Sequence, residues 1–84
     1  MNIQKEHTKK MFEQFKSILV DDMSIDPNLV TMDAELTADL GINSLELADL
    51  ILLCEDKLGV EIDDKQLSKF ISVGDVVNYL QSLE

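Results

Sequence analysis

DLGINSLEL, residues 39–47, joins a flexible turn to the start of the most apolar predicted helix of the chain. Gly41 can adopt backbone angles that a Cβ atom opposes, so it marks the turn. Asn43 is a favoured N-cap residue, and Glu46 three positions later completes the pattern of a capping box. Ser44 therefore occupies the first helical position, beside unpaired backbone N–H groups and the positive end of the helix dipole. Such a position favours the binding of a phosphate group.

The predicted helix has an apolar stripe along one face, at about 100° per residue, that suits a protein core. The stripe comprises Leu47, Leu50, Ile51, Cys54 and Leu58. A second, smaller apolar patch lies on the other side of Ser44 and is surrounded by acidic residues. This second patch comprises Leu45, Ala48 and Leu52, and its acids are Glu46, Asp49, Glu55 and Asp56. Either neighbouring elements of a small domain cover the second patch, or a partner protein binds it.

Residues 40–45, Leu-Gly-Ile-Asn-Ser-Leu, resemble the phosphopantetheine attachment site of the acyl carrier protein family. The resemblance runs without gaps from about Ile18 to the C-terminus. It includes residues 30–31, 38–41, 58–62 and 72–80. The chain departs from the family pattern at two positions. Asn43 replaces the usual aspartate next to the serine, and Asp63 stands where many relatives have proline.

The resemblance implies that a phosphopantetheinyl transferase moves 4′-phosphopantetheine from coenzyme A onto Ser44. The thiol of this arm would then carry an acyl chain as a thioester, and partner enzymes would carry out the chemistry. The resemblance also assigns the apolar partner contact to the second patch. It assigns the contact with basic docking surfaces of acyl-handling enzymes to the four acids around that patch. Complementary charge of this kind speeds and orients transient docking.

The composition predicts one small acidic domain that spans residues 1–84. Seventeen Asp and Glu residues stand against seven lysines and no arginine, for a formal net charge of −10. Nucleic acid is therefore not an expected partner, because its phosphates would be repelled. The single cysteine, Cys54, cannot form an internal disulfide, and its place on the apolar stripe indicates a buried apolar role. The chain has no secretory segment and no apolar run near the ~20 residues of a membrane helix. We expect a cytoplasmic protein without a membrane span, which we take to be a monomer.

Helical periodicity along the chain predicts an all-α four-helix bundle with three longer helices, one short helix and a long first loop. The first helix is predicted for residues 4–22, and the polar residues 1–10 either extend it or fray. The second helix is predicted for residues 44–57, after which Gly59 can end it.

The long first loop covers residues 24–43, and its apolar residues are expected to pin it to the core. These residues are Ile25, Leu29, Val30, Leu36 and Leu40, and a short helical turn is predicted near residues 34–36. A short third helix is predicted for residues 64–70, with Leu67, Phe70 and Ile71 directed inward. Ser72 then caps the fourth helix, and Asp75 completes a second capping box.

An enzymatic role is not predicted, because Ser44 lacks the partners that a nucleophile needs. The only histidine, His7, is far away in sequence on a polar segment, and no Gly-x-Ser-x-Gly elbow occurs. One histidine and one cysteine do not make a zinc site. Residues 33–44 imitate an EF-hand loop, but Ala38 replaces the glycine at its sixth position and Ser44 the glutamate at its twelfth. We therefore expect neither catalysis nor a metal site.

The residues and the resemblance together favour a carrier in fatty acid, polyketide or related acyl metabolism. One alternative is a scaffold subunit of the same fold that never receives the arm. Another is a carrier of amino-acyl or peptidyl groups, although the acidic second helix and Ile42 favour an acyl group. Because the chain begins with Met1 and no linker flanks the domain, we expect a free-standing carrier rather than an excised synthase domain.

Overall fold

Three longer helices form the bundle in the computed structural model, which describes residues 3–83 and the side chains of residues 8–83. They are α1 (Ile3–Met23), α2 (Ser44–Leu58) and α3 (Val73–Ser82). Two short 3₁₀ helices, Pro27–Leu29 and Asp64–Lys69, lie in the connections. The predicted all-α bundle, with a long first loop and a short helix before the last helix, is confirmed. The 3₁₀ turn at Pro27–Leu29 lies within the long first loop, where the fixed backbone angle of Pro27 favours the start of a turn.

The helix boundaries agree with the predicted ones to within one or two residues. Residues 3–10 belong to α1, so helix extension is the alternative that holds for this part of the polar N-terminal segment. Residues 1 and 2, and the side chain of His7, lie outside what the structure describes. Whether residues 1 and 2 extend α1 or fray therefore stays as the sequence analysis left it.

The core lies where α1 packs against both α2 and α3. Among residues 8–23 of α1, whose side chains the structure describes, four are buried at helical spacing, which are Met11, Phe15, Ile18 and Leu19. The predicted stripe of α2 supplies Leu50, Ile51 and Cys54, with Leu47 and Leu58 partly buried against them. Helix α3 adds Val73, Val76, Val77 and Leu80. Helix α2 thus buries the face that its sequence period predicts, and the buried residues of α1 and α3 follow the same helical period.

The long first loop is packed into this core rather than lying over it. Val30, Leu36 and Leu40 are buried as predicted. The inward prediction for Leu29 is wrong, because this side chain is 49% exposed. Leu29 ends the 3₁₀ helix Pro27–Leu29, which buries none of its residues, whereas Val30 after it is extended and buried in the core.

Backbone hydrogen bonds join the loop to the start of α3. The N–H of Leu36 donates to the carbonyl of Ile71 at 2.8 Å. The N–H groups of Val73 and Gly74 donate to loop carbonyls, those of Ala34 and Met32, each at 2.9 Å. Glu35 and Ser72 form an isolated antiparallel bridge. The helical turn predicted near residues 34–36 is therefore displaced to residues 36–40, where the carbonyl of Glu35 accepts the N–H of Asp39 at 2.9 Å.

The connection between α2 and α3 corrects one further prediction. Phe70 is buried and packs edge-on against Tyr79, with ring centroids 5.5 Å apart, but Ile71 is 61% exposed. The chain is extended at Phe70 and Ser72, so Ile71 points away from the core when its neighbour points inward. Asp63 caps the short helix by accepting the N–H of Lys65 at 2.9 Å, so it does more than replace the family's proline.

The predicted capping box of α3 is confirmed. The N–H of Asp75 donates to the Ser72 hydroxyl at 3.2 Å, and the Asp75 carboxylate accepts the N–H groups of Ser72 and Ile71, each at 3.0 Å. The backbone bonds to Ser72 and Ile71, in that order, lower the pKa of Asp75 because they stabilise its ionised form. Through its bond to the N–H of Ile71, the Asp75 carboxylate also positions Ile71, whose carbonyl accepts the N–H of Leu36 in the long loop.

We predict that Leu36→Ala destabilises the protein far more than Leu29→Ala, although both leucines belong to the same loop. Leu36 is 1% exposed, and truncation of such a side chain costs about 2–5 kcal/mol. Leu29 is half exposed, so its loss should change the free energy of unfolding by roughly 0.5 kcal/mol or less. Urea unfolding followed by circular dichroism measures both values. Equal losses in the two variants would contradict the packing of the loop described here.

Candidate functional site

A capping box begins α2, as its sequence predicts. Asn43 has extended backbone angles, and its Oδ1 atom accepts the N–H of Glu46 at 2.8 Å. The Glu46 Oε1 atom accepts the N–H of Asn43 at 3.2 Å. These two bonds satisfy donors that no helical carbonyl can reach, so the first residue of α2 has a defined position. That residue is Ser44, and it is exposed.

Backbone hydrogen bonds and the buried side chain of Ile42 fix the turn that precedes the capping box of α2. Gly41 has φ +70°, a left-handed conformation that glycine adopts without strain, and its N–H donates to the carbonyl of Thr37. The N–H of Ile42 donates to the carbonyl of Leu36 at 2.9 Å, and the Ile42 side chain is 1% exposed. Ile42 is a core residue that was not predicted from the sequence. Its signal was available, because Ile42 and Leu47 stand at the two positions of a hydrophobic staple.

The second patch is open to solvent. Leu45 is 80% exposed and Leu52 is 62% exposed, whereas Ala48 is half-buried. No element among the described residues covers the two leucines, so the first alternative, covering by neighbouring elements, does not hold for this part of the chain. Two exposed leucines on one helix face are a candidate contact with a partner.

The four acids around the second patch have different surroundings. Asp49 and Asp56 are exposed, and Glu46 is held in the capping box. Glu55 is half-buried, and its Oε2 atom accepts the N–H of Ile62 at 2.8 Å. Glu55 therefore holds the chain that follows α2 against the helix. Because this bond joins residues seven apart in the sequence, the spacing within the helix does not reveal it.

A surface depression of about 420 Å³ adjoins the second patch on the side of α1. Its lining residues are Asp22, Met23, Asp49, Leu52 and Leu53. Leu53, which had no place on either face of the predicted helix, is half-buried there. Another depression, of about 460 Å³, runs along α1 and contains none of the predicted site residues.

The remaining reactive groups are not arranged for chemistry. Cys54 is fully buried as predicted, and burial, with the charge of Glu55 as a smaller cause, raises the pKa of its thiol to about 12. Such a thiol stays protonated and poorly nucleophilic at neutral pH. Within residues 3–83, no three His, Cys, Asp or Glu side chains form a group that could hold a metal ion. None of the helices in this described range has the length and apolarity needed to cross a membrane.

Comparison with known proteins identifies relatives over most of the chain. Residues 13–80 match a family model described as "Phosphopantetheine attachment site". The chain is 39% identical over 71 residues to an acyl carrier protein of Helicobacter acinonychis, a match that covers 84% of this chain and 91% of the relative. It is 38% identical over 73 residues to an acyl carrier protein of Campylobacter curvus, a match that covers 87% of this chain and 95% of that relative.

A solved structure gives the same result for the fold. The crystal structure of an acyl carrier protein from Thermotoga maritima superposes with a TM-score of 0.81 at 26% sequence identity. The match covers 92% of this chain and 89% of that structure.

We predict that Asn43→Ala lowers the free energy of unfolding by about 1 kcal/mol, because it removes the acceptor for the N–H of Glu46. Asn43→Asp should retain most of the stability, since aspartate caps equally well. Asn78→Ala is the matched control, because Asn78 is exposed within α3, where alanine is the better helix former. Denaturant unfolding of the three variants measures the differences. A loss with Asn78→Ala as large as that with Asn43→Ala would contradict the capping role.

Proposed function

The chain belongs to the acyl carrier protein family, and from that premise we propose that Ser44 is the residue that receives the 4′-phosphopantetheine arm. The observation that carries this proposal is an exposed serine at the first position of a capped helix, inside the matched residues 13–80. When bound, the arm supplies a thiol that carries an acyl chain as a thioester. The protein's own part is to present the arm to partner enzymes.

The surroundings of Ser44 fit a phosphate ester. Its side chain is exposed, so a transferase can reach the hydroxyl. The N–H groups in the first turn of a helix have no helical carbonyl to bind, and the helix dipole adds positive potential there. Asn43 takes only one of these donors, the N–H of Glu46. The remaining first-turn donors and the dipole favour a negatively charged group on Ser44.

We further propose that partners dock on the second patch and its acids. Leu45, Ala48 and Leu52 provide the apolar contact, and Leu45 and Leu52 are exposed for it. Glu46, Asp49, Glu55 and Asp56 provide negative charge toward basic partner surfaces, and all but the half-buried Glu55 are exposed. A rim of charge mainly raises the association rate, which suits a carrier that must also dissociate.

We propose that the cargo is an acyl group of fatty acid, polyketide or related acyl metabolism. The phosphopantetheinyl transferase and the acyl-handling enzymes follow as partner classes from the family. The cytoplasmic location, the monomeric state and the absence of intrinsic catalysis stay predictions from the sequence. An unmodified scaffold and an aminoacyl carrier are the outcomes that the following experiment separates from this proposal.

We predict that Ser44→Ala abolishes the mass gain that wild-type protein shows after incubation with a phosphopantetheinyl transferase and coenzyme A. Ser17→Ala is the control, because Ser17 is an exposed serine on α1 and should leave modification unchanged. Intact-mass spectrometry gives the readout, and circular dichroism verifies that both variants are folded. Modification of the alanine variant would refute Ser44 as the site, and an unmodified wild type would favour the scaffold. The mass of the thioester isolated from cells distinguishes an acyl from an aminoacyl cargo.

We predict that Asp49→Lys and Asp56→Lys each slow modification by a basic partner at low salt, and that the difference shrinks as salt rises. Exposed charges are screened beyond a Debye length of about 10 Å at 0.1 M salt. Asp33→Lys makes the same charge change outside the proposed surface and serves as the control. Glu55→Lys should also lower the thermal midpoint, because it breaks the bond to Ile62. A rate loss that is independent of salt would argue against electrostatic docking.

A further inference from the structure

The basic residue of α2 is paired with an acid of another helix. Lys57 is the one cation in the sequence of α2, where it lies in the last turn. Its Nζ atom is 2.7 Å from the Oδ2 atom of Asp22, near the end of α1. The side chains of Lys57 and Asp22 are 45% and 26% exposed, so both remain partly in contact with solvent. The hydrogen bond to Asp22 is the main cause that raises the pKa of Lys57 above its ordinary value.

This ion pair lies at the edge of the proposed docking surface. Asp22 lines the 420 Å³ depression together with Asp49 and Leu52, which are two of the proposed docking residues. Lys57 directly follows the exposed Asp56 in the sequence, and Leu53 lies one helical turn before it. The lysine ammonium ends a long flexible stem, so its position depends on what binds it.

A lysine at this place opposes the docking of a basic partner unless an acid neutralises it. An unpaired ammonium beside Asp56 would cancel part of the negative potential that attracts the partner, because the two groups lie within a Debye length. A like-charged pair across a forming interface also disfavours the complex. Asp22 removes both effects, since it holds the ammonium against α1 and compensates its charge.

We propose that Asp22 is a positioning residue for partner docking, which neutralises Lys57 and so keeps the docking face of α2 negative. The inference rests on the proposed function, because it concerns docking at the same surface. It extends that surface from α2 to Asp22 on α1. The kind of partner it favours is one with a basic docking surface.

The test uses a phosphopantetheinyl transferase and coenzyme A, with the rate of modification of Ser44 measured by intact mass at several salt concentrations. Asp22→Asn should raise KM by about 1.5- to 5-fold at low salt, the range expected for one exposed charge interaction, with little change in kcat. The double variant with Asp22→Asn and Lys57→Gln should return KM to the wild-type value. Glu13→Gln, an exposed charge change of the same sign on α1, should have a much smaller effect.

The double variant separates a docking effect from a structural one. It lacks the ion pair just as Asp22→Asn does, so a purely structural role predicts that both variants lose rate equally. Thermal midpoints measured for both variants verify that the lost pair costs them similar stability. Three results would overturn the inference: a double variant as slow as Asp22→Asn, an Asp22→Asn effect equal to that of Glu13→Gln, or a loss that persists at high salt. An unmodified wild-type protein would instead refute the proposed function itself.

Discussion

The backbone pairing between the long loop and the start of α3 is the constraint on which the site depends. Leu36 donates to the carbonyl of Ile71, and its own carbonyl accepts the N–H of Ile42. Ile42 immediately precedes the N-cap of α2, so this short chain of bonds places Ser44 relative to the bundle. The pairing also requires a close approach, because a Cβ atom on residue 74 would lie 3.0 Å from the Met32 carbonyl oxygen. Glycine at position 74 allows that approach without a shift of the neighbouring backbone.

The surface around Ser44 combines features that do not favour the folded state by themselves. Leu45 and Leu52 remain in water, and acids accumulate beside them on a chain with a net charge of −10. Exposed apolar area and repulsion between like charges both lower the free energy of unfolding. Both features suit transient docking to basic partners, because apolar contact contributes to the affinity and complementary charge raises the association rate. Among the side chains that the structure describes, Asp22 and Lys57 form the one salt bridge, and it lies at the edge of this surface.

The errors of the sequence analysis have a common cause. Leu29 and Ile71 were both expected to point inward because they are apolar and lie near other apolar residues, yet both are exposed. Leu29 ends a 3₁₀ helix that buries none of its residues. Ile71 follows the buried Phe70 in extended chain, where inward and outward positions alternate. Helical spacing also grouped Glu55 with the free acids of α2, whereas its carboxylate binds the N–H of Ile62. In each case the spacing of apolar or acidic residues identified the right segment of the chain. It did not show what each side chain contacts outside that segment.

The sequence by itself determined the helices, their core faces, both capping boxes and the position of Ser44 at the start of α2. These features depend on interactions between residues no more than about four apart, so their signals lie within a short window. Only the tertiary structure decided that Leu45 and Leu52 are exposed, that the loop is bonded to α3, and that Asp22 reaches Lys57. Such contacts join residues that are far apart in the chain. Their geometry follows from how the helices pack, which the spacing of residues within one helix does not specify.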